Sequence, residues 1–423
     1  ARYNRCRRIV WSARLTAMFV SPSTIDHGLL VNAMRWFAQA RGQELYDVPA
    51  DLDGQYWRTV PFTRKPDLRV ELRPYAESGD WITRLSSSGT TADPVVSPWS
   101  KADEQVADAT VRAIHARCPS IDGARCAVIA PSPDLAVAYS MLREIELSGG
   151  VPLLIPPADP EAVCRVLVDE GIEAVFTLPL VASRIGEHFV LTQGAPPDGV
   201  RLLFCGGDVL SPARQAMLAQ MWDAFVLNMF GCSELFGPVA GPAEHGRPLV
   251  WRCEHVAVEV IDPATLSPCG RGDRGVMVLS TLWPKASPLL RYWTDDIVQL
   301  VDADAADGAF AFEYIGRPPS MLNCAGKAIP LRDIDEALLS CGWCTSEWSI
   351  RQSPNGVIIE AETQQGQPAV LRSARAAVRD TAHIDVELVP KEPSSLPRAT
   401  PKFTVCDHPS RSQIDRSQSR RSL

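Results

Sequence analysis

The run RCAVIAPSPDLAVAYSMLREIELSGGVPLLIPPADPEAVCRVLVDEGIEAVFT, residues 125–177, decides the fold. Short apolar stretches at 125–130, 151–155 and 173–177 alternate with longer segments, 134–148 and 160–170, whose apolar residues recur at three- and four-residue spacing. Continuous apolar runs of this length read as strands buried on both faces. The segments between them read as amphipathic helices that start near Asp, Ser or Pro. The pattern extends outward, with a helix expected at 103–118, strands at 201–205 and 225–230, and a helix at 211–223. Alternation of this kind predicts a doubly wound, mainly parallel α/β layer.

Beyond residue 250 the texture changes to alternating runs such as AVEVID (257–262) and GVMVLSTL (275–282), separated by Gly, Pro and Asp turns, which predicts an antiparallel β subdomain. Arg317-Pro318-Pro319 punctuates the chain, because consecutive prolines fix φ and donate nothing to a ladder. The expected organisation is an α/β architecture with a large N-terminal domain over 1–317 and a small α+β C-terminal domain over 318–408. Residues 409–423, rich in Ser and Arg, read as a disordered tail.

With 423 residues, 46% hydrophobic and 22% charged content, the chain can bury the core of an enzyme-sized protein. A net charge of -8, with no basic run before the extreme C-terminus, carries no electrostatic footprint for nucleic acid. No apolar run reaches the roughly 20 residues of a membrane helix. The N-terminus also lacks a signal-peptide arrangement, so a cytoplasmic protein is expected. The 12 cysteines are scattered, several inside apolar runs, which fits reduced buried thiols better than a disulfide framework. Only six lysines occur, so a lysine at a motif position is hard to dismiss as surface decoration.

The segment LSSSGTTADPVV (85–96) is the most informative for chemistry. The hydroxyls of Ser87, Ser88, Thr90 and Thr91 surround Gly89, whose missing Cβ lets backbone N–H groups approach an anion, so the segment can wrap a polyphosphate. Together with PFTRKPDLR (61–69), it resembles the phosphate-loop region of the phenylacetate-CoA ligase branch of the adenylate-forming superfamily. Further blocks follow in that family's order: FCGGDVLS (204–211), NMFGCSELFGP (228–238), PLLRYWTDDI (288–297), IGRPPSMLNCAGKAIP (315–330) and EPSSLPRATPK (392–402).

The resemblance implies that Mg-ATP activates a small, aromatic carboxylic acid as its acyl-AMP. A thiol then captures the acyl group, either that of CoA or the phosphopantetheine of an acyl carrier protein. It implies Ser87, Ser88, Gly89, Thr90, Thr91, Gly207 and Asp208 around the nucleotide, with Ser233 on the α-phosphate and Glu234 on Mg²⁺. Asp296 would accept from the ribose hydroxyls, Arg317 would reach ribose or phosphate, and Lys402 would come down on the carboxylate and α-phosphate. The acid would be lined by Tyr139, Phe204, Gly206, Phe230, Gly231 and Phe236. The expected partners are this acid and a carrier protein, with no nucleic acid and no membrane, and a homodimer is the oligomer considered.

Several motif positions depart from the family pattern. Ala92-Asp93 replaces Gly-Lys in the phosphate loop, Phe230 replaces Tyr, Asp295 stands where relatives carry Gly, and Pro319 stiffens the junction. Acyl transfer to an amine or hydroxyl, or a homologue that binds a nucleotide or acid without turnover, therefore stand as alternatives. Cys253, His255 and Cys269, with His245, lack the spacing of a zinc site.

Overall fold

The protein is described from a computed structural model over residues 27–40, 54–69, 81–86, 96–133, 135–157, 159–195, 197–243, 248–283, 285–302, 310–324, 326–342, 345–353, 356–363 and 368–396. Its N-terminal elements are helices α1 (His27–Ala40) and α2 (Gly54–Thr59) and an antiparallel pair, β1 (Trp81–Ser86) and β2 (Val96–Ser100). Helix α3 (Lys101–His115) follows β2 directly. It is started by a capping box in which the Ser100 and Asp103 side chains each accept the other residue's backbone N–H.

The α/β layer then runs β3 (Arg125–Ile129), α4 (Ala136–Leu147), β4 (Val151–Ile155), α5 (Pro160–Asp169), β5 (Ala174–Thr177), α6 (Pro179–Gln193), β6 (Leu202–Gly206), α7 (Pro212–Trp222) and β7 (Phe225–Cys232). Strands β4, β3, β5, β6 and β7 lie side by side in that order, all parallel. Each strand buries alternate residues on opposite faces. Ala127, Ile129, Val175 and Leu203 pack beneath α5, α6 and α7, whereas Cys126, Val128, Phe176 and Phe204 pack beneath α3 and α4. This two-sided burial is the doubly wound arrangement expected from the sequence. Helix α6 is an addition: Pro179, Leu180, Val181, Ala182, Ser183, Ile185, Gly186 and Phe189 are all buried, and its exposed end carries the apolar Val190 and Leu191, so the polar Arg184, Glu187 and His188 mark its period only weakly.

The β region does not form a separate sheet. The turn from β7 into β8 (Gly237–Pro242) reverses direction, and the sheet continues through β9 (Leu249–Trp251), β13 (Ala311–Gly316), β12 (Tyr292–Leu300), β11 (Arg274–Thr281) and β10 (Val256–Ile261), all antiparallel. The C-terminal part holds the hairpin β14 (Met321–Cys324) and β15 (Lys327–Pro330). Helices α8 (Leu331–Ser340) and α9 (Pro368–Ala382) accompany the sheet β16 (Trp348–Ser353), β17 (Gly356–Glu362) and β18 (Val386–Lys391). Its core of Ile334, Leu338, Ile350, Ile359, Val378 and Leu388 also takes in Leu180 of α6. No described helix is long and apolar enough to cross a membrane.

Candidate active site

Parallel strands aim their carboxyl ends at one edge of the sheet, where the loops that follow can gather functional groups. Strand β6 ends there on Gly206, and Gly207 turns the chain at φ 79°, the left-handed region that favours glycine. Asp208 follows. Strand β7 ends on Gly231 and Cys232, and a turn over 233–236 carries Ser233, Glu234 and Phe236 before β8 leaves. This turn is tight because Gly231 lies against it: a Cβ at Gly231 would sit 2.3 Å from the Gly237 carbonyl oxygen. Gly231→Ala is therefore expected to destabilise the protein by about 1–3 kcal/mol, by forcing the β7–β8 turn apart. A thermal midpoint unchanged from the wild type would contradict it.

Strand β12 supplies the second wall. Asp295 sits at φ 65°, so the position where the resemblance implied Gly does require the left-handed region, and the aspartate there is held at a conformational cost. Its neighbour Asp296 is 1% exposed and receives a two-pronged contact from Arg317, Nε to Oδ1 at 2.5 Å and Nη2 to Oδ2 at 2.9 Å. That carboxylate holds the Arg317 guanidinium well above its usual range. The Tyr314 hydroxyl hydrogen-bonds to Asp296 as well. Burial, and then the Asp296 charge, push this phenol far up, and Asp208 adds to the same field.

Glu234 is buried, and its Oε1 accepts from the Tyr292 hydroxyl at 2.8 Å. Burial and the Glu234 carboxylate together raise the Tyr292 phenol. Between the two walls lies Cys232, whose thiol is raised first by burial and then by Glu234 and Asp296. The structure thus gathers Glu234, Asp296, Arg317, Tyr314 and Asp208 into one neighbourhood. No group of three or more His, Cys, Asp or Glu that could hold a metal exists among the described residues. The single Glu234 carboxylate fits an ion such as Mg²⁺, which commonly binds one or two carboxylates and completes its shell with phosphate and water.

The expected acid-pocket residues separate into three clusters. Tyr139 and Phe236 meet, with ring centroids 5.4 Å apart, and Trp99 also packs on Phe236. Phe204 lies elsewhere, stacked at 4.2 Å on Phe176 under the helices. Phe230 packs on Phe312 and Tyr314. Phe204 is fully buried in the core beneath α3 and α4, its ring taken up by Phe176, so it is core and not a pocket wall. Ser87, Ser88, Gly89, Thr90, Thr91 and Lys402 lie outside the described residues.

Sequence reading missed Trp99, Tyr292, Tyr314 and Lys285. Lys285 is fully buried. Burial lowers its ammonium from the usual range, against the opposing pull of Asp103, Cys232 and Glu234. Its presence among only six lysines, between two prolines in the run PKASP (284–288), was the available signal.

Comparison with known proteins identifies the family. The AMP-binding enzyme family matches residues 5–283. A phenylacetate-coenzyme A ligase of Thermus thermophilus is 27% identical over 322 residues, covering 72% of this chain and 70% of the relative. One from Escherichia coli K12 is 21% identical over 377 residues, covering 82% and 83%. Among solved structures, 2-hydroxyisobutyryl-CoA ligase in the postadenylation state superposes with a TM-score of 0.76 at 17% identity, covering 93% of this chain and 90% of that one. The chain belongs to the AMP-binding enzyme family, in the phenylacetate-CoA ligase-like branch of the adenylate-forming enzymes.

Proposed function

We propose that this protein is an AMP-forming acid–thiol ligase, which activates a small carboxylic acid with ATP and passes the acyl group to CoA. The observation that supports it most is the convergence of Asp296, Arg317 and Glu234 at one edge of the sheet. A carboxylate must attack the α-phosphorus of ATP, so two anions meet, and a fixed cation with oriented donors offsets their repulsion in a poorly hydrated cleft. Arg317 is a described cation close to Glu234, and its planar fork is already ordered by Asp296.

In this reading Asp296 and Arg317 hold the ribose side of the nucleotide, and the Ser233 hydroxyl faces the α-phosphate. Glu234 would hold Mg²⁺, which when bound supplies charge neutralisation on the phosphate oxygens. The residues Ser87, Ser88, Gly89, Thr90, Thr91 and Lys402 keep their proposed places on the triphosphate and the carboxylate. The aromatic cluster of Tyr139, Phe236 and Trp99 favours a flat aryl acid, since such walls bury a ring at low entropic cost. A carrier-protein thiol is the other acceptor of the same class. The free buried cysteines fit a reducing cytoplasmic setting.

The test is acid-dependent ATP–pyrophosphate exchange on a panel of aryl and short aliphatic carboxylates, followed by thioester formation with CoA. Exchange with at least one acid and thioester product is expected. No exchange with any acid would overturn the reading. Exchange without thioester, but with amide or ester when an amine or alcohol is added, would favour the amine or hydroxyl acceptor. The exposed Pro318-Pro319 pair, which stiffens the junction domain rotation would use, speaks for that second reading.

A further inference from the structure

Lys285 has no role in the reading above, yet its placement is specific. Its Nζ is buried and has no hydrogen-bond partner among the described residues, and the same is true of the Trp99 indole Nε1. The two groups share one cluster, with Nζ 5.2 Å from the centroid of the Trp99 ring. Buried donors without acceptors are rare because each forfeits its hydration for nothing, and two together point to an acceptor that arrives with a ligand.

The nearby carboxylates do not fill that need. Both oxygens of Asp103 are occupied, by the Trp283 indole N–H at 2.8 Å, the Ala286 N–H at 3.2 Å, and the backbone N–H and hydroxyl of Ser100 at 2.9 Å each. Glu234 accepts from Tyr292. The same Asp103 contacts pin the chain on both sides of Lys285, so its backbone is fixed relative to the start of α3. Glu234 and Cys232 stand close enough to act on the ammonium, and the Trp99 ring 5.2 Å from it packs on Phe236, which in turn meets Tyr139. A ligand that reaches both the ammonium and the aromatic cluster needs an anionic end and an apolar body.

We propose that Lys285 is a substrate-binding residue that receives the carboxylate of the acid, with the Trp99 indole N–H as a second donor. The inference rests on the acid-activating reading given above. Neutralising the carboxylate at its binding step places it beside the α-phosphate without prior repulsion, and fixes the oxygen that attacks. Lys285 would bind the acid within the large α/β part of the chain, independently of Lys402.

The experiment uses the full chain and the variants Lys285→Met and Lys285→Arg, with the same carboxylate panel and the matching primary amides as uncharged probes. Acid-dependent ATP–pyrophosphate exchange gives KM for acid and for ATP, and inhibition by each amide gives its affinity. For Lys285→Met the acid KM is expected to rise roughly tenfold to a hundredfold, the range of a charge-assisted hydrogen bond, with the ATP KM within about twofold. Affinity for the amides should barely change. Lys285→Arg should restore part of the loss. The thermal midpoint of Lys285→Met should stay level or rise, because methionine fills the site without an unpaired buried charge. An acid KM unchanged in Lys285→Met, while the wild type exchanges normally, overturns the inference and leaves the proposed function standing. Parallel rises in both KM values, or a lowered thermal midpoint in both variants, assign Lys285 a structural role and also overturn it. Absence of exchange in the wild type overturns the function and the inference together.

Discussion

Asp335→Ala is expected to cost about 3–5 kcal/mol of stability, the range for removing one partner of a buried ion pair. Its partner Arg214 is 0% exposed and gives Nη2 to Asp335 Oδ1 at 2.6 Å and Nε to Oδ2 at 3.1 Å. Two other donors use the same carboxylate, the Ser211 hydroxyl at 2.6 Å and the Trp348 indole N–H at 2.8 Å. The alanine variant strands a guanidinium and leaves these donors short of an acceptor, in a place water does not reach. Ser183 Oγ and the Ser346 carbonyl still accept from Arg214, but neither carries a charge. Urea unfolding followed by tryptophan fluorescence should show the midpoint fall at little-changed slope. The double variant Arg214→Met/Asp335→Leu should recover most of the loss, since an apolar pair of similar volume has no desolvation cost to meet. A loss below about 1 kcal/mol for Asp335→Ala would mean that water reaches the pair and that it behaves as a surface bridge.

This pair joins α7 of the α/β layer to α8 of the C-terminal part. It has company: Arg184 grips Glu347, Arg274 grips Asp333, Arg332 grips Glu313, and Glu336 accepts from the Ala213 N–H. Leu180 of α6 adds apolar contact to the core of the C-terminal part. Movement of that part away from the α/β layer would have to break this set, and only a competing arrangement of comparable energy could replace it.

The legibility of these features in the sequence follows from what each residue's neighbours are. Strands β3 to β7 were readable because helices cover both sheet faces, so nearly every position is apolar. Helix α6 was not, because most of its first three turns are buried and its exposed end carries the apolar Val190 and Leu191, which blurs the 3.6-residue stripe on which helix recognition depends. The left-handed turn at Asp295 was readable as a departure from glycine, and φ 65° is its physical content. Lys285 could not be placed. A lysine between prolines in a loop reads as solvated, and what holds this loop in the interior is a carboxylate far earlier in the chain, at Asp103, recruited from the cap of α3. Phe204 and Phe236 are both aromatic and both lie within two residues of a motif glycine. Only the sheet's pleat and the helices above it decide that one is core and the other reaches Tyr139.

Asp296→Asn is expected to lower acid-dependent ATP–pyrophosphate exchange by roughly tenfold to a hundredfold, chiefly through a raised KM for ATP. Asparagine keeps the size of the side chain and one oxygen acceptor, so the 1% exposed site should stay filled and the fold intact. What disappears is the charge that orders Arg317 and pulls on the Tyr314 hydroxyl. Two consequences separate a nucleotide role from a purely structural one. The Tyr314 phenol is held far up first by burial and then by Asp296, so in Asp296→Asn it should titrate at lower pH than in the wild type, as ultraviolet difference spectra can follow. In a double-mutant cycle with Arg317→Met, a residue that only positions Arg317 gives two single losses no smaller than the double loss. A residue that itself touches the nucleotide gives a double loss clearly larger than either single one. An ATP KM within about twofold of the wild type in Asp296→Asn, at unchanged thermal midpoint, would remove Asp296 from the nucleotide site and leave it as the anchor of Arg317 alone.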